Sequence, residues 1–152
     1  MERSILVALD YRLNVPTTHV FLCRYLKAAH ADLSVALLAS YLTERSLQEY
    51  RMLQFLPSIV AATAIRIARK TSHRHPWSPT LERYCKVDEA GLVECGLEMQ
   101  AMLQDAVTDG SGAGSGTDGA GSGAGSGLGL DAVRSKYSSS SFGAVSGRQL
   151  LF

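Results

Sequence analysis

The sequence predicts an all-α fold: a bundle of five helices around one central apolar helix, with a flexible Gly/Ser-rich insertion and a tail. Three observations carry this. Apolar residues recur at helical spacing over most of residues 1–107, and no stretch alternates as a strand would. The run Pro57-Ser58-Ile59-Val60-Ala61-Ala62-Thr63-Ala64-Ile65 is small-residued and almost wholly apolar, which suits a helix with neighbours all round. Ten of the 14 glycines lie between Gly110 and Gly129, leaving about 105 residues ahead of that tract for one modest core.

The elements follow in order. Residues 2–12 read as a helix with Ile5, Leu6 and Leu9 on one side. Pro16 interrupts it, disfavouring helix in the residue before, and a threonine after it caps the next helix. That helix is expected to reach about Ala31, with Phe21, Tyr25 and Ala28 as its apolar stripe. Asp32 caps a third helix, where Val35, Leu38, Ala39 and Leu42 fall at i, i+3, i+4 and i+7 and Arg45 interrupts the face. Residues 46–56 form a connector anchored by Leu47, Tyr50, Leu53, Phe55 and Leu56.

Pro57 and Ser58 open the central helix, which ends in Arg69-Lys70-Thr71. Ser78 caps a short helix with Pro79 at its first position, where a missing N–H costs nothing. The lone tryptophan, Trp77, is a packing anchor ahead of it. Asp88 and Glu89 open the last long helix, favoured there by free N–H groups and the dipole. Its stripe is Leu92, Cys95, Gly96, Met99, Met102, Leu103 and Ala106. Residues 110–127 are half glycine and read as coil. Residues 130–137 make one or two helical turns, and a Ser-rich tail follows to Phe152.

Charge is unevenly spread. Residues 1–87 hold twelve Lys/Arg against six Asp/Glu, and residues 88–109 hold six acidic residues and no Lys/Arg. A basic half followed by an acidic helix points to internal complementarity or a protein partner, not to nucleic acid. Arg66, Arg69, Lys70, His73, Arg74 and His75 cluster at a helix C-terminus, where cations complement the dipole. No apolar run is long enough to span a bilayer or to form a signal-peptide core, so an intracellular protein without membrane contact is expected. Cys23, Cys85 and Cys95 fit no disulfide framework and read as reduced thiols. His73 and His75 with Cys85 lack the paired ligands of a zinc site, so neither metal nor cofactor is expected. No nucleophile elbow, phosphate loop or convergent carboxylates appear, so no catalytic residues are expected.

Several separated pieces together resemble the second half of a cyclin. They are Pro16-Thr17, then Phe21-Leu22 with Arg24-Tyr25, then Leu38-Ala39-x-Tyr41-Leu42-x-Glu44-x-Ser46-Leu47. Tyr50, Leu53, Phe55, Pro57-Ser58-x-x-Ala61-Ala62-x-Ala64, Trp77-x-Pro79-x-Leu81-x-x-Tyr84 and Leu92-x-Glu94-Cys95 continue the series. Order and spacing match the C-terminal cyclin box of A/B-type mitotic cyclins. His75 to Glu82, and Ala132-Val133-Arg134-x-Lys136-Tyr137 with Phe142 and Val145, resemble plant-like A-type members most. The likeness covers residues 1–107 and 130–145; the Gly/Ser stretch departs from it as an insertion.

The resemblance implies an organisation and a function. Residues 1–13 would be the last helix of an otherwise missing first box, 14–108 the C-terminal box, 109–129 a disordered linker, and 130–152 a short helix and tail. The chain would belong to a regulatory subunit of a cyclin-dependent kinase of the G2/M type, not an enzyme itself, found in nucleus and cytoplasm. Glu2 would supply the acidic half of a Lys–Glu pair gripping the kinase, and Leu6, Tyr11 and Leu13 the apolar part of that contact. Phe21, Tyr25, Leu38, Leu42, Ala61, Ala62, Ile65, Trp77, Leu81, Leu92 and Met99 would pack between helices. Arg148, Leu150 and Phe152 follow the Arg-x-Leu-x-Phe pattern of docking peptides that cyclin substrates present. The other reading is a free-standing helical adaptor, or a truncated product that activates no kinase. Ile5, Leu6, Leu9, Phe21 and Tyr25 would then expose a patch prone to self-association.

Overall fold

The computed structural model describes residues 1–110 and 131–152, all helices, turns and irregular connections. The predicted Gly/Ser linker therefore lies, past its first residues, outside the described residues, as does the side chain of Ala106. Seven α-helices occur among those described: α1 Glu2–Ala8, α2 Thr18–Ala28, α3 Leu33–Ser46, α4 Pro57–Thr71, α5 Pro79–Cys85, α6 Val93–Gly110 and α7 Asp131–Ser138. The all-α class read from the sequence is what forms.

Helix α4 is the axis of the bundle. Val60, Ala61, Ala62, Thr63, Ala64, Ile65, Ile67 and Ala68 are all buried, so it is covered on nearly every side. It packs against α2, α3, α5 and α6. Four alanines make this possible, because a methyl group lets neighbouring backbones approach where a longer side chain would hold them off.

Helix α3 is buried more fully than its pattern suggested. Val35, Leu38, Ala39 and Leu42 face the core as expected, and Tyr41, Thr43, Arg45 and Ser46 are buried too. The second side is covered by α7 and the turns after it. Arg45, expected to spoil the apolar face, is instead only 3% exposed and donates to Gln48 Oε1 at 3.1 Å. Thr43 and Ser46 satisfy their hydroxyls on carbonyls one turn back. Asp32 caps the helix by accepting from the Val35 N–H at 3.4 Å.

Helix α2 is rotated from its expected setting. Its buried positions are Leu22, Tyr25 and, just past its end, Ala29, with Phe21, Leu26 and Ala28 half-buried alongside. It ends at Ala28, short of Ala31, where His30 takes a left-handed φ of 46°. Thr17 occupies the N-cap position in extended geometry, but its hydroxyl makes no capping bond.

Helix α1 ends at Ala8, four residues before its expected limit, because Asp10 and Tyr11 both turn left-handed. In the connector a 3-10 turn spans Tyr50–Gln54 and the true anchor is Met52, 4% exposed. Leu47, Tyr50, Leu53 and Leu56 point outward instead, and Phe55 is half-buried. In a 3-10 turn side chains three apart eclipse, so one inward residue turns its neighbours away.

Ser78 accepts from the Leu81 N–H and Pro79 opens α5, as read from sequence. Before α6 a 3-10 turn, Ala90–Leu92, comes between the acidic pair and the helix. Asp88 accepts from the Gly91 N–H there, while Glu89 turns away to Arg66. The Ser-rich segment after α7 is not a loose tail: Val145 is 1% exposed, and Phe142, Leu150 and Phe152 pack against the core.

Candidate interaction surfaces

No helix among the described residues is long and apolar enough to cross a membrane, and no group of three or more His, Cys, Asp or Glu there could hold a metal ion. What the molecule offers is surface, built from three places.

The first is α1 and the segment after it. Glu2 is exposed, Leu6 is half-buried, and Tyr11 and Leu13 are 63% and 60% exposed. Ile5, Val7, Leu9 and Val15 are exposed as well, and α1 contains no buried residue. With Met1, seven apolar side chains within fifteen residues are left in water beside a folded core and form an unpartnered apolar face. The fold does not place Glu2 against a cation among the described residues.

The second is the basic cluster of α4, which the structure disperses. Arg66 pairs with Glu89 at 2.9 Å. Arg69 donates through Nε to the His75 carbonyl and through Nη1 to the Ala29 carbonyl, each at 2.9 Å, tying the end of α2 to the turn after α4. Burial, with Arg74 adding to it, lowers the Arg69 pKa from its ordinary value. Arg74 meets Asp32 at 3.1 Å, and Lys70 donates to the Phe152 carbonyl. His73 and His75 stay exposed, and Cys85, the third candidate metal ligand, is buried. The cations act as internal tethers, each to a different segment.

The third is the junction of α3 with α7. Glu44 accepts from Lys136 Nζ and from Tyr137 Oη, both at 2.8 Å. The Tyr137 ring packs on Tyr41 and Phe142, with centroids 5.4 and 5.2 Å away. Burial, and the Glu44 carboxylate that accepts its hydrogen, push the Tyr137 phenol up from its ordinary value. Reading of the sequence named these residues only as fragments of a resemblance; their union across more than ninety positions has no local signal. Beyond α7, Arg148 donates to Ser34 Oγ at 2.7 Å and the Leu151 N–H donates to Thr71 Oγ1. Leu150 and Phe152 are half-buried over a groove shared with Arg66, Lys70 and Leu97. The candidate docking peptide is thus laid along this chain's own helices.

Of the residues named for packing, Tyr25, Leu38, Leu42, Ala61, Ala62, Ile65, Trp77, Leu81, Leu92 and Met99 are buried and Phe21 is half-buried. Residues 16–112, which span α2 to α6, match the family described as the cyclin C-terminal domain. The chain belongs to the cyclin family. Among similar proteins, Cyclin-B2-2 of Arabidopsis thaliana is 36% identical over 147 residues, 96% of this chain and 30% of that protein. Cyclin-A2-2 of the same plant is 38% identical over 153 residues, 96% of this chain and 31% of that one. The G2/mitotic-specific cyclin-B of Dictyostelium discoideum is 34% identical over 148 residues, 96% and 30% respectively. The chain therefore spans about 30% of the length of these curated cyclins. Their likeness runs beyond the matched C-terminal domain, and in this cyclin chain the junction of Glu44 with Lys136 and Tyr137 joins that domain to the segment after it.

Proposed function

We propose that this chain is the second-repeat portion of a regulatory subunit for a cyclin-dependent protein kinase, acting at the mitotic stage of the cell cycle in nucleus and cytoplasm. It performs no catalysis. A cyclin biases a kinase toward its active arrangement by binding that arrangement more tightly. The observation that supports this reading is the exposed apolar face of α1 and residues 9–15, attached to a bundle that matches the cyclin C-terminal domain. The face would meet a preceding repeat and the kinase, with Glu2 supplying a carboxylate and Leu6, Tyr11 and Leu13 the apolar contact. Two similar proteins from Medicago are named G2/mitotic-specific cyclin-2, which supports the mitotic assignment.

The test joins this chain behind the N-terminal repeat of an A-type cyclin and measures complex formation with a cyclin-dependent kinase and phosphorylation of a protein substrate. A stoichiometric, active complex is expected. Tyr11→Ala with Leu13→Ala should weaken it about tenfold, the loss of roughly 1.4 kcal/mol. An inactive mixture would overturn the kinase reading. An active complex indifferent to the two substitutions would remove only the α1 assignment.

A further inference from the structure

We propose that the groove between α2 and α5 is a docking surface for an acidic segment of a protein partner. Its volume is about 570 Å³, and Val20, Arg24, Lys27 and His30 wall one side while Thr80 and Tyr84 wall the other. No Asp or Glu lines it, and α2 carries no carboxylate at all. Val20, Arg24 and Lys27 fall at i, i+4 and i+7, one stripe of α2, beside the buried stripe of Leu22, Tyr25 and Ala29.

The contrast with α4 carries the argument. Arg66, Arg69, Lys70 and Arg74 are each taken up by a carboxylate or carbonyl of this chain. Arg24 and Lys27 have no such acceptor among the described residues, so their charge remains available. Arg24 lies over the Tyr84 ring, 5.8 Å from its centroid. Stacking of this kind orients a guanidinium without neutralising it. Val20 and Tyr84 are 57% and 48% exposed and give the groove apolar surface on each wall. The complementary ligand is a peptide with carboxylates for Arg24 and Lys27 and an apolar side chain for Val20 and Tyr84. A nucleic-acid strand is disfavoured, since a single aromatic ring offers no ladder on which successive bases stack.

Cys23 lines the same groove and supplies the readout. Its thiol is exposed, whereas Cys85 and Cys95 are buried. At neutral pH a thiol reagent should modify Cys23 first. The experiment measures the rate of Cys23 alkylation in the whole chain by mass spectrometry. The probe is a twelve-residue Asp/Glu-rich peptide with a central Leu, and its comparator is the Asn/Gln counterpart. The acidic peptide should slow alkylation saturably and the amide peptide should not. Lys27→Glu and Arg24→Gln should each raise the half-protecting concentration about tenfold, while Arg83→Glu, outside the groove lining, should leave it unchanged. Protection should fall on raising salt. Equal protection by both peptides, no protection at millimolar peptide, or stronger protection by an oligothymidylate would each overturn the proposal.

Discussion

Raising the pH from 8 to 10 should destabilise this fold through two buried thiols. Cys85 and Cys95 are 7% and 0% exposed, and burial pushes each thiol up from 9.0 to about 11. In the unfolded chain both return to about 9. A group whose folded pKa is raised stabilises the fold fully below its unfolded value, and that contribution is lost as pH climbs toward the folded value. With these two values, one thiol gives up about 1.3 kcal/mol between pH 8 and pH 10, and the pair about 2.6 kcal/mol. Tyr25, Tyr41 and Tyr137 are raised as well, but from 10.0, so by pH 10 each adds at most about 0.4 kcal/mol and the larger part of their loss comes above it. The assay is urea unfolding followed by far-ultraviolet circular dichroism, under reducing conditions, at pH 8, 9 and 10. The thiols should cost wild type about 2.6 kcal/mol over that range, each single variant, Cys95→Ala or Cys85→Ala, should keep about half of that thiol loss, and the double variant should keep only the tyrosine share of at most about 1.2 kcal/mol. Truncating either cysteine has its own cost at pH 8, but the comparison is made within each variant and that cost cancels. A double variant that loses as much stability as wild type would refute the reasoning, since some other group would then titrate in the window.

Three further expectations follow from the packing. Tyr137→Phe should cost about 1.5 kcal/mol, because it removes a hydrogen bond to a carboxylate, while Lys136→Ala should cost less than about 1 kcal/mol as a half-exposed ion pair; thermal unfolding of both variants checks the order. Arg69→Met should cost about 2 kcal/mol by leaving the Ala29 and His75 carbonyls without their shared donor, and Arg69→Lys should recover only part of this, since an ammonium lacks the fork that reaches both; urea midpoints decide it. Thr63 is fully buried in α4, its hydroxyl reaches no nitrogen or oxygen partner, and the neighbouring Cys95 thiol is a weak one, so Thr63→Val should stabilise by about 1 kcal/mol in the same measurement.

The helical elements were legible in the sequence because what makes them is local. Asp32 and Ser78 cap the helices they precede, Pro79 opens α5, and the alanine-rich run from Val60 to Ala68 becomes the buried axis. Each of these depends on residues within one or two turns. Errors arose where two faces compete. In α2 the stripe through Phe21 and Ala28 is nearly as apolar as the one through Leu22 and Ala29, and the packing of α4 chose the second. In the connector, the 3-10 turn Tyr50–Gln54 directs Met52 inward and turns the expected anchors Tyr50 and Leu53 outward.

The sequence by itself determined a helical bundle, its central helix and the caps at Asp32 and Ser78, since periodicity and capping are read within a few residues, and its separated motifs carried the resemblance to cyclins. Only the tertiary structure decided where the charges go. Cations that read as one basic patch on α4 are drawn to Glu89, Ala29, Asp32 and Phe152, and Glu44 finds Lys136 and Tyr137 across more than ninety residues. Arg24 and Lys27, unremarkable in the sequence, are the ones left facing an open groove. Pairings of this kind depend on which helices the topology brings side by side, and nothing in the local chemistry of a charged side chain announces its distant partner.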